Sequence, residues 1–284
     1  MTAVAHQSGT FTIAGRTVHR LGFGAMRLTG PGIWGEPADR GECVRVARRA
    51  VELGVDFIDT ADAYGPEVAD EILREALHPY PEQLLIATKV GYTRSGPGRW
   101  APVGRPEYLR QQVELNLRRL GLERLDLLQL HRVDPKVPLV DQVGELKAMQ
   151  DEGKIAGLGL SEVTVEQIEQ AKQIAEIVTV QNEYNLTDRK SQPVLDYCTE
   201  QGIGFIPWAP IARGALATPG GPVDEVERAT GATPGQVSLA WLLAVSPVML
   251  PIPGTSKVAH LEDNLGAAAL TLSREQVGKL SAAV

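Results

Sequence analysis

Short apolar runs and amphipathic segments alternate along most of this chain. Eight runs have the length and the branched or aromatic content of strands. They are Leu21–Ala25, Phe57–Asp59, Leu84–Lys89, Asp126–His131, Ala156–Leu160, Val178–Gln181, Gly204–Trp208 and Met249–Ile252. Apolar residues recur at helical spacing in Arg40–Leu53, Glu107–Leu120, Val140–Glu152, Glu166–Ile174 and Val194–Glu200. Strands that alternate with helices predict βαβ units and a parallel sheet.

Turn and capping residues add detail at both ends of the chain. Thr10–Ile13 and Thr17–His19 are predicted to form a hairpin with Gly15 at its tip. The segment Thr233-Pro234-Gly235-Gln236 has the hydroxyl, the first-turn proline and the returning amide of a helix start. Ser273-Arg274-Glu275-Gln276 repeats this capping box, so we predict a last helix after it.

A closed barrel competes with an open dinucleotide-binding sheet. The open sheet needs a third glycine after Gly22 and Gly24, and Arg27 stands in its place. The 284 residues suffice for one α/β barrel and do not require two domains. We therefore predict an α/β fold, a (β/α)8 TIM barrel formed as a single domain by residues 1–284. Thr29–Pro37 and Gly91–Pro106 are predicted to be long loops on the active-site face.

Composition excludes several classes of partner. The formal net charge of −7 disfavours nucleic acid, because binding to a phosphate backbone depends on clustered lysine and arginine. No apolar run is long enough to span a bilayer, and Met1 to Gly9 has no secretory pattern. We expect a cytoplasmic protein without membrane or nucleic-acid partners. Cys43 and Cys198 show no metal-ligand spacing, so no metal is expected. The oligomeric state is left open.

Three successive strands lead to side chains that can handle protons. Asp59 ends one strand, Tyr64 follows in the next turn, and Lys89 and His131 end the next two strands. Because the carboxyl ends of barrel strands share one face, we expect these four side chains to meet. Lys89 is expected to lower the pKa of Tyr64, and His131 to donate to a carbonyl oxygen. Such a site protonates a carbonyl but supplies no electron pair, so a cofactor must bring a hydride.

The acid, the lysine and the histidine each also have a simpler explanation. Asp59 can cap the next turn, Lys89 can be a surface charge, and His131 can be a hydrogen-bonded core histidine. Lys89 can also be the Schiff-base nucleophile of an aldolase or lyase, although a carboxylate partner keeps an amine protonated. A non-catalytic subunit that senses nicotinamide is a further alternative, which nothing in the chain favours.

The segment Phe57–Gly65 closely resembles the first signature of the aldo-keto reductase family, and the resemblance covers nearly the whole chain. It implies a catalytic tetrad of Asp59, Tyr64, Lys89 and His131, with Tyr64 as the general acid. It also implies the (β/α)8 barrel with the N-terminal hairpin closing the bottom. The implied reaction is the NAD(P)H-dependent reduction of an aldehyde or ketone to the alcohol.

The same resemblance implies residues that bind the nicotinamide. Ser161 and Glu162 stand where the family has a Ser-Asn pair that holds the carboxamide. A carboxylate at Glu162 can accept from the amide nitrogen but cannot donate to the oxygen. Gln181 is the expected second carboxamide contact, and Trp208 the ring that stacks on the nicotinamide. Arg213 is expected to clamp the pyrophosphate.

A segment after the last strand is expected to hold the adenosine phosphate. Its candidate residues are Gly254, Thr255, Ser256, Lys257, His260, Asp263 and Asn264. Hydroxyls and amides at a helix start suit an anion. Gly254 and His260 replace a lysine and an arginine of many relatives, which removes fixed positive charge. We predict that NADP(H) is preferred by a small margin and that NAD(H) is also used.

Met26, Trp34 and Trp100 lie near the predicted mouth and are the candidate substrate contacts. The segment from Arg20 to Gly32 resembles the bacterial pyridoxal reductase branch, of the pyridoxine 4-dehydrogenase type. Residues 180–185 and the Pro-Gly-Thr-Ser loop share that resemblance. A small-molecule carbonyl compound is therefore the expected partner, with pyridoxal as the candidate substrate.

Overall fold

The computed structural model describes residues 4–211 and 222–282. Its strands are β1 (Thr10–Ile13), β2 (Arg16–His19), β3 (Phe23–Gly24), β4 (Phe57–Asp59), β5 (Leu85–Val90), β6 (Tyr92–Gly96), β7 (Arg99–Pro102), β8 (Leu125–Leu130), β9 (Ile155–Ser161), β10 (Ile177–Gln181) and β11 (Gly204–Phe205). Its helices are α1 (Arg40–Glu52), α2 (Val68–Leu77), α3 (Pro106–Leu120), α4 (Leu139–Asp151), α5 (Val165–Lys172), α6 (Gln192–Gln201), α7 (Pro222–Thr230), α8 (Pro234–Val245), α9 (Val258–Gly266) and α10 (Arg274–Ala282). No helix among these residues is long and apolar enough to cross a membrane.

Seven strands form a curled parallel sheet in the order β11, β10, β9, β8, β5, β4, β3. The predicted eighth strand, Met249–Ile252, closes the gap between the two edges. Leu250 N donates to Phe205 O at 2.8 Å, and Gly22 N donates to Pro251 O at 2.9 Å. It is not a regular strand because Pro251 has no N–H for a ladder bond. The sheet is thus closed as a (β/α)8 barrel, as predicted.

The interior of the barrel is divided between an apolar end and a polar end. Ile13 and Val18 of the β1–β2 hairpin pack against the residues that begin the strands, including Phe57 and Leu85. The rest of this inner cluster is Ala87, Leu127, Ile206, Leu250 and Ile252. The hairpin therefore closes the bottom of the barrel, as the resemblance implied. Inward-facing polar residues are left for the carboxyl ends of the strands.

The helices begin and end close to their predicted bounds, because their apolar spacing and their caps agree. At the start of α8, Gln236 N donates to Thr233 Oγ1 at 3.3 Å, and Thr233 N donates to Gln236 Oε1 at 3.1 Å. Ser273 and Gln276 form the same reciprocal pair before α10. Both predicted capping boxes are therefore present.

The segment predicted as the long loop Gly91–Pro106 contains an antiparallel hairpin instead, β6–β7. Arg94 pairs with Trp100 across it, and the Arg94 guanidinium lies 3.6 Å from the centre of the Trp100 ring. Gly98 has φ of 65°, which suits the tight turn between the strands. The hairpin stands over the carboxyl ends of the barrel strands, where it forms part of the cavity wall described next.

Candidate active site

Lys89 joins the predicted catalytic residues at the carboxyl ends of the strands. Its Nζ donates to Asp59 Oδ2 at 2.6 Å, to the Thr60 carbonyl at 2.9 Å and to the Tyr64 hydroxyl at 3.2 Å. The Lys89 side chain is fully buried. An ammonium with three oxygen acceptors and a carboxylate partner is held in a fixed position at the floor of the site.

Strand register explains why these side chains meet. Asp59 is the last residue of β4 and lies beside Ala87, while Lys89 lies beside Gln129 of β8. A tight turn begins at Ala61, two residues after Asp59, and brings Tyr64 back toward the barrel axis. In this turn Tyr64 N donates to the Ala61 carbonyl at 3.0 Å. The small side chain of Ala87, between Asp59 and Lys89 on neighbouring positions of the sheet, leaves room for these two longer side chains.

The second oxygen of Asp59 is bound by two glutamines from across the barrel. Gln129 Nε2 and Gln181 Nε2 donate to Asp59 Oδ1 at 3.1 and 2.8 Å. A Cβ at Gly159 would lie 2.9 Å from Gln129 Cγ, so this glycine makes room for the glutamine. Sequence reasoning missed Gln129. The available indication is its position two residues before His131, among the leucines of residues 127–130, because residues two apart in a strand face the same side and Gln129 then faces inward with His131.

The environment of Tyr64 differs from the sequence prediction. Burial raises the pKa of Tyr64 above its ordinary value of 10.0, and the nearby Lys89 ammonium only partly opposes that effect. The expectation that Lys89 lowers this pKa is therefore wrong for the net shift. The phenol is thus held protonated in the closed interior, as a proton donor needs to be.

The ammonium of Lys89 remains charged in spite of its burial. Burial lowers its pKa, but Asp59 and Tyr64 raise it by more, so the net pKa lies above 10.5. A Schiff-base nucleophile needs a neutral amine. Both the pKa and the three hydrogen bonds of this amine therefore disfavour the aldolase or lyase alternative.

His131 lies among aromatic rings and cations. Its ring meets Tyr64, Tyr92 and Trp100 edge-on, with centroids 5.9, 5.0 and 6.1 Å away. Burial, and then the charges of Lys89, Arg132 and Arg94, hold its pKa well below 6.5. The imidazole is neutral at pH 7. Its buried Nδ1 has no hydrogen-bond partner among the described residues.

A cavity of about 320 Å³ opens above these groups. Asp59, Tyr64 and His131 lie on its wall, together with Gln181 and Trp208. Two of the three predicted substrate contacts, Met26 and Trp100, also line it. The third, Trp34, does not lie on this wall; it pairs with Gly65 and lies 5.6 Å from the Arg94 guanidinium. Trp34 therefore contacts the wall indirectly, through Arg94, whose guanidinium also stacks on the wall residue Trp100.

The predicted carboxamide residues are arranged differently from the expectation. Ser161 is buried at the end of β9, where its Oγ accepts from Arg132 Nη1 at 3.1 Å. Glu162 does not line the cavity. Its Oε1 accepts from Trp208 Nε1 at 2.8 Å and from Glu183 N at 2.7 Å. Glu162 thus holds the edge of the Trp208 indole, and sequence reasoning did not foresee this contact.

The predicted phosphate segment precedes and begins α9. Gly254 lines the cavity, and a Cβ there would lie 2.7 Å from the Gly24 carbonyl oxygen, which explains why no lysine fits without a shift. Lys257 N donates to Thr255 Oγ1 at 3.1 Å, and Val258 N donates to the Glu42 carboxylate at 3.1 Å. The Glu42 carboxylate therefore already occupies one backbone N–H at the start of this helix.

The remaining predicted cofactor residues lie along or outside this segment. Ser256 and His260 lie beside the start of α9, with His260 exposed, and Asn264 is buried in that helix. Asp263 accepts from Thr233 Oγ1 at 3.0 Å and from Gln236 Nε2 at 3.1 Å, so it ties α9 to α8. Arg213 lies outside the described residues.

Comparison with known proteins agrees with this geometry. A model of the Aldo/keto reductase family matches residues 20–284. The chain belongs to the aldo/keto reductase family. An uncharacterised oxidoreductase of Schizosaccharomyces pombe is 54% identical, covering 97% of this chain and 90% of its own length. Pyridoxine 4-dehydrogenase of Escherichia coli is 44% identical, covering 96% of this chain and 97% of its own.

A solved structure supports the fold of this aldo-keto reductase. The glycerol dehydrogenase from Gluconobacter oxydans superimposes with a TM-score of 0.88 at 25% identity, over 97% of this chain and 94% of that one. The predicted family and the predicted barrel are therefore confirmed, and the chain is an oxidoreductase. The roles of individual site residues and the choice of cofactor stay predictions.

Proposed function

We propose that this aldo-keto reductase reduces an aldehyde or ketone to the alcohol, with NADPH as the hydride donor. The observation that carries the proposal is the buried 3.2 Å contact between the Lys89 ammonium and the Tyr64 hydroxyl, on the floor of the cavity. The carbonyl compound, NADPH and one proton give the alcohol and NADP⁺. The carbonyl carbon gains the hydride and its oxygen gains the proton.

The residues around the cavity fit a nicotinamide nucleotide. Trp208 offers a flat aromatic face, and Gln181 and Ser161 offer an amide and a hydroxyl at strand ends. A Cβ at Gly24 would lie 2.7 Å from the Ile252 carbonyl oxygen, and Gly254 is similarly tight, so two backbone segments meet without side chains between them. Bare backbone allows close approach of a nucleotide. When bound, the nicotinamide supplies the hydride that no side chain here can provide.

The side chains then have separate tasks. Tyr64 donates its proton to the carbonyl oxygen as negative charge develops there. Lys89 stabilises the phenolate that remains, and Asp59 keeps Lys89 charged and in place. His131 is neutral, and a proton on its buried Nδ1 would have no acceptor among the described residues. The tautomer with the proton on Nε2 is therefore favoured, and its Nε2–H can donate to the same carbonyl oxygen.

The preference for NADP(H) over NAD(H) rests on the segment before α9. Lys257, His260 and the hydroxyls of Thr255 and Ser256 suit a 2′-phosphate. Glu42, which binds Val258 N, opposes part of that charge. We therefore propose a modest preference for NADPH. Measured kcat/KM values for the two reduced cofactors test it, and a clear preference for NADH contradicts it.

Pyridoxal is the proposed substrate. The relative named pyridoxine 4-dehydrogenase is 44% identical over 96% of the chain. The cavity wall offers the stacked aromatic side chains of Tyr92 and Trp100, and a neutral His131 beside them, for a flat heteroaromatic aldehyde. Oxidation of NADPH by pyridoxal, set beside nitrobenzaldehydes and short aliphatic aldehydes, tests this choice.

Replacing Tyr64 by phenylalanine tests the proton donor. Tyr64→Phe keeps the ring but removes the proton, so we expect kcat/KM for reduction to fall by about 10²- to 10⁴-fold. NADPH affinity, measured by fluorescence titration, should stay within about threefold of wild type.

Tyr92→Phe is the matched control, because Tyr92 lines the same cavity and its ring stacks on Trp100. Its kcat/KM should stay within about tenfold of wild type. Retention of full activity by Tyr64→Phe at saturating NADPH removes the proposed acid.

A further inference from the structure

Glu162 is committed to a contact outside the cavity. It has φ of 55°, a left-handed conformation that few residues other than glycine adopt. From there its Oε1 accepts both the Trp208 indole N–H and the Glu183 backbone N–H. A carboxylate held this way has no proton to offer. The residue after Ser161 therefore cannot donate to a ligand in the cavity.

A nicotinamide carboxamide presents one acceptor oxygen and two N–H donors. Gln181 Nε2 donates one of its two N–H groups to Asp59 Oδ1 at 2.8 Å, which orients the amide nitrogen toward Asp59. Its Oε1 has no hydrogen-bond partner among the described residues, so this oxygen is the atom offered to a ligand, and it can only accept. Gln181 therefore suits the carboxamide nitrogen. The carboxamide oxygen needs a strong donor from another side chain beside Ser161.

Arg132 is the side chain in that position. Its Nη1 donates to the His131 carbonyl at 2.6 Å and to Ser161 Oγ at 3.1 Å, and the residue lines the cavity. Its guanidinium lies 5.2 Å from the centre of the Tyr92 ring. Both contacts of Nη1 fix the group next to the carboxamide candidates, while the N–H groups of Nη2 and Nε have no hydrogen-bond partner among the described residues.

The charge of Arg132 is also uncompensated. Among residues 4–211 and 222–282, no carboxylate lies within ion-pair distance of it, and the one acid on the cavity wall, Asp59, is bound to Lys89, Gln129 and Gln181. A partly buried guanidinium without an acidic partner gains most from a strong acceptor. A ligand oxygen placed beside Ser161 meets that need.

We propose that Arg132 donates a hydrogen bond to the carboxamide oxygen of the nicotinamide, in the place of the amide donor that Glu162 lacks. The proposal rests on the proposed use of a nicotinamide cofactor. Arg132 thereby helps to set which face of the ring lies toward Tyr64, with Gln181 taking the carboxamide nitrogen.

Calorimetric titration of the wild type and of Arg132→Met with NADP⁺ and with adenosine 2′,5′-bisphosphate tests the contact. A lost charge-assisted hydrogen bond should weaken NADP⁺ binding by about 10- to 100-fold. Binding of adenosine 2′,5′-bisphosphate, which has no nicotinamide, should stay within about twofold, and this also shows that the variant is folded. Arg124→Met, on the exposed surface before β8, changes the net charge equally and should bind both as wild type does.

A second titration uses nicotinic acid adenine dinucleotide phosphate, which carries a carboxylate in place of the carboxamide. Because guanidinium pairs well with carboxylate, the wild type should bind this analogue at least as tightly as NADP⁺. In Arg132→Met that order should reverse. An analogue that binds the wild type and Arg132→Met equally well contradicts the proposal.

One other result has a definite meaning. If Arg132→Met leaves NADP⁺ affinity unchanged but lowers kcat/KM for 4-carboxybenzaldehyde and not for 4-nitrobenzaldehyde, Arg132 binds an anionic group of the substrate and the proposal is overturned. If the wild type itself binds neither NADP⁺ nor NADPH, the proposed cofactor fails, and the contact with Arg132 fails with it.

Discussion

At the scale of single residues, Asp59 organises the hydrogen bonds of the site. One of its oxygens binds Lys89, and the other binds Gln129 and Gln181. The Asp59 carboxylate therefore fixes the Lys89 ammonium and also orients the Gln181 amide, whose oxygen is left available to the cavity. In the proposed mechanism, the acid that supports proton transfer thus also prepares the proposed cofactor contact, and the two tasks are coupled through one carboxylate.

Glu162 is expected to act on the cofactor through Trp208. Glu162→Leu leaves the indole N–H without its acceptor and frees the ring, so we expect NADPH affinity to weaken by about fivefold. Glu162→Gln keeps an acceptor oxygen and should stay near the wild type. Fluorescence titration with NADPH measures both.

A double-mutant cycle separates this effect from a general loss of structure. In a Trp208→Phe background there is no indole N–H, so Glu162→Leu should cause no further loss of NADPH affinity. Glu166→Gln, an exposed acid on α5, should bind NADPH as wild type does. An equal loss from Glu162→Leu in both backgrounds rules out an action through Trp208.

Single residues show where sequence reasoning stops. Asp59, Tyr64, Lys89 and His131 could be placed together because strand ends share one face of a barrel. The direction of the pKa shift of Tyr64 could not be predicted in the same way. It depends on whether burial raises the pKa by more than the Lys89 charge lowers it, and burial is a property of the fold. The resemblance to the family predicts that Glu162 contacts the carboxamide, whereas its left-handed φ turns the side chain toward Trp208.

At the scale of elements, Arg94 ties the β6–β7 hairpin to two neighbouring loops. Its Nη1 donates to the Ile33 carbonyl at 2.6 Å and to the Ala63 carbonyl at 2.9 Å. Its face stacks on Trp100. Ala63 directly precedes Tyr64, so one guanidinium joins the cavity wall to the turn that carries the proposed acid.

Loss of this guanidinium should loosen the wall and spare the cofactor. Arg94→Met keeps apolar bulk but removes the donors to both neighbouring loops, so we expect kcat/KM for aromatic aldehydes to fall by about tenfold, mainly through KM. NADPH affinity should change by less than about twofold. Steady-state kinetics with 4-nitrobenzaldehyde and NADPH titration measure the two effects.

Arg99→Met is the matched control, since Arg99 is exposed on the same hairpin. It should leave both kinetic constants near the wild type. A parallel loss of NADPH affinity in Arg94→Met indicates that the hairpin also holds the cofactor, and an unchanged KM removes the role in the wall.

The hairpin itself could not be predicted from periodicity. Residues 92–102 contain glycines and prolines, which are typical of loops, and the paired strands are joined by the stacking of Arg94 on Trp100. That contact is visible only in three dimensions. The strands and helices of the barrel were accessible because their apolar spacing, their capping boxes and their order all indicated the same fold.

At the scale of the whole molecule, polar groups are buried around the upper half of the barrel. Asp70 of α2 is fully buried and accepts from Thr60 Oγ1 at 2.6 Å. Burial raises its pKa from 3.8 to about 6. Asp62 lies close by, and burial followed by the charge of Asp70 raises its pKa well above 3.8. Burial of these two carboxyl groups costs stability. In return, the Asp70 carboxyl fixes the hydroxyl of Thr60, the residue that follows Asp59.

The stability of the protein should therefore depend on Asp70 in a definite direction with pH. The folded state holds this proton more tightly than the unfolded chain, so the stabilisation from protonated Asp70 is complete below pH about 4 and is lost as pH rises through about 6. Asp70→Asn stays neutral and can still accept from Thr60. We expect its free energy of unfolding, relative to wild type, to increase between pH 4 and pH 7, by up to about 3 kcal/mol. Urea denaturation at a series of pH values measures this difference. Glu71→Gln, exposed on the same helix, is the matched control. A difference for Asp70→Asn that does not change with pH contradicts the prediction, because Asp70 then titrates alike in the folded and unfolded chains.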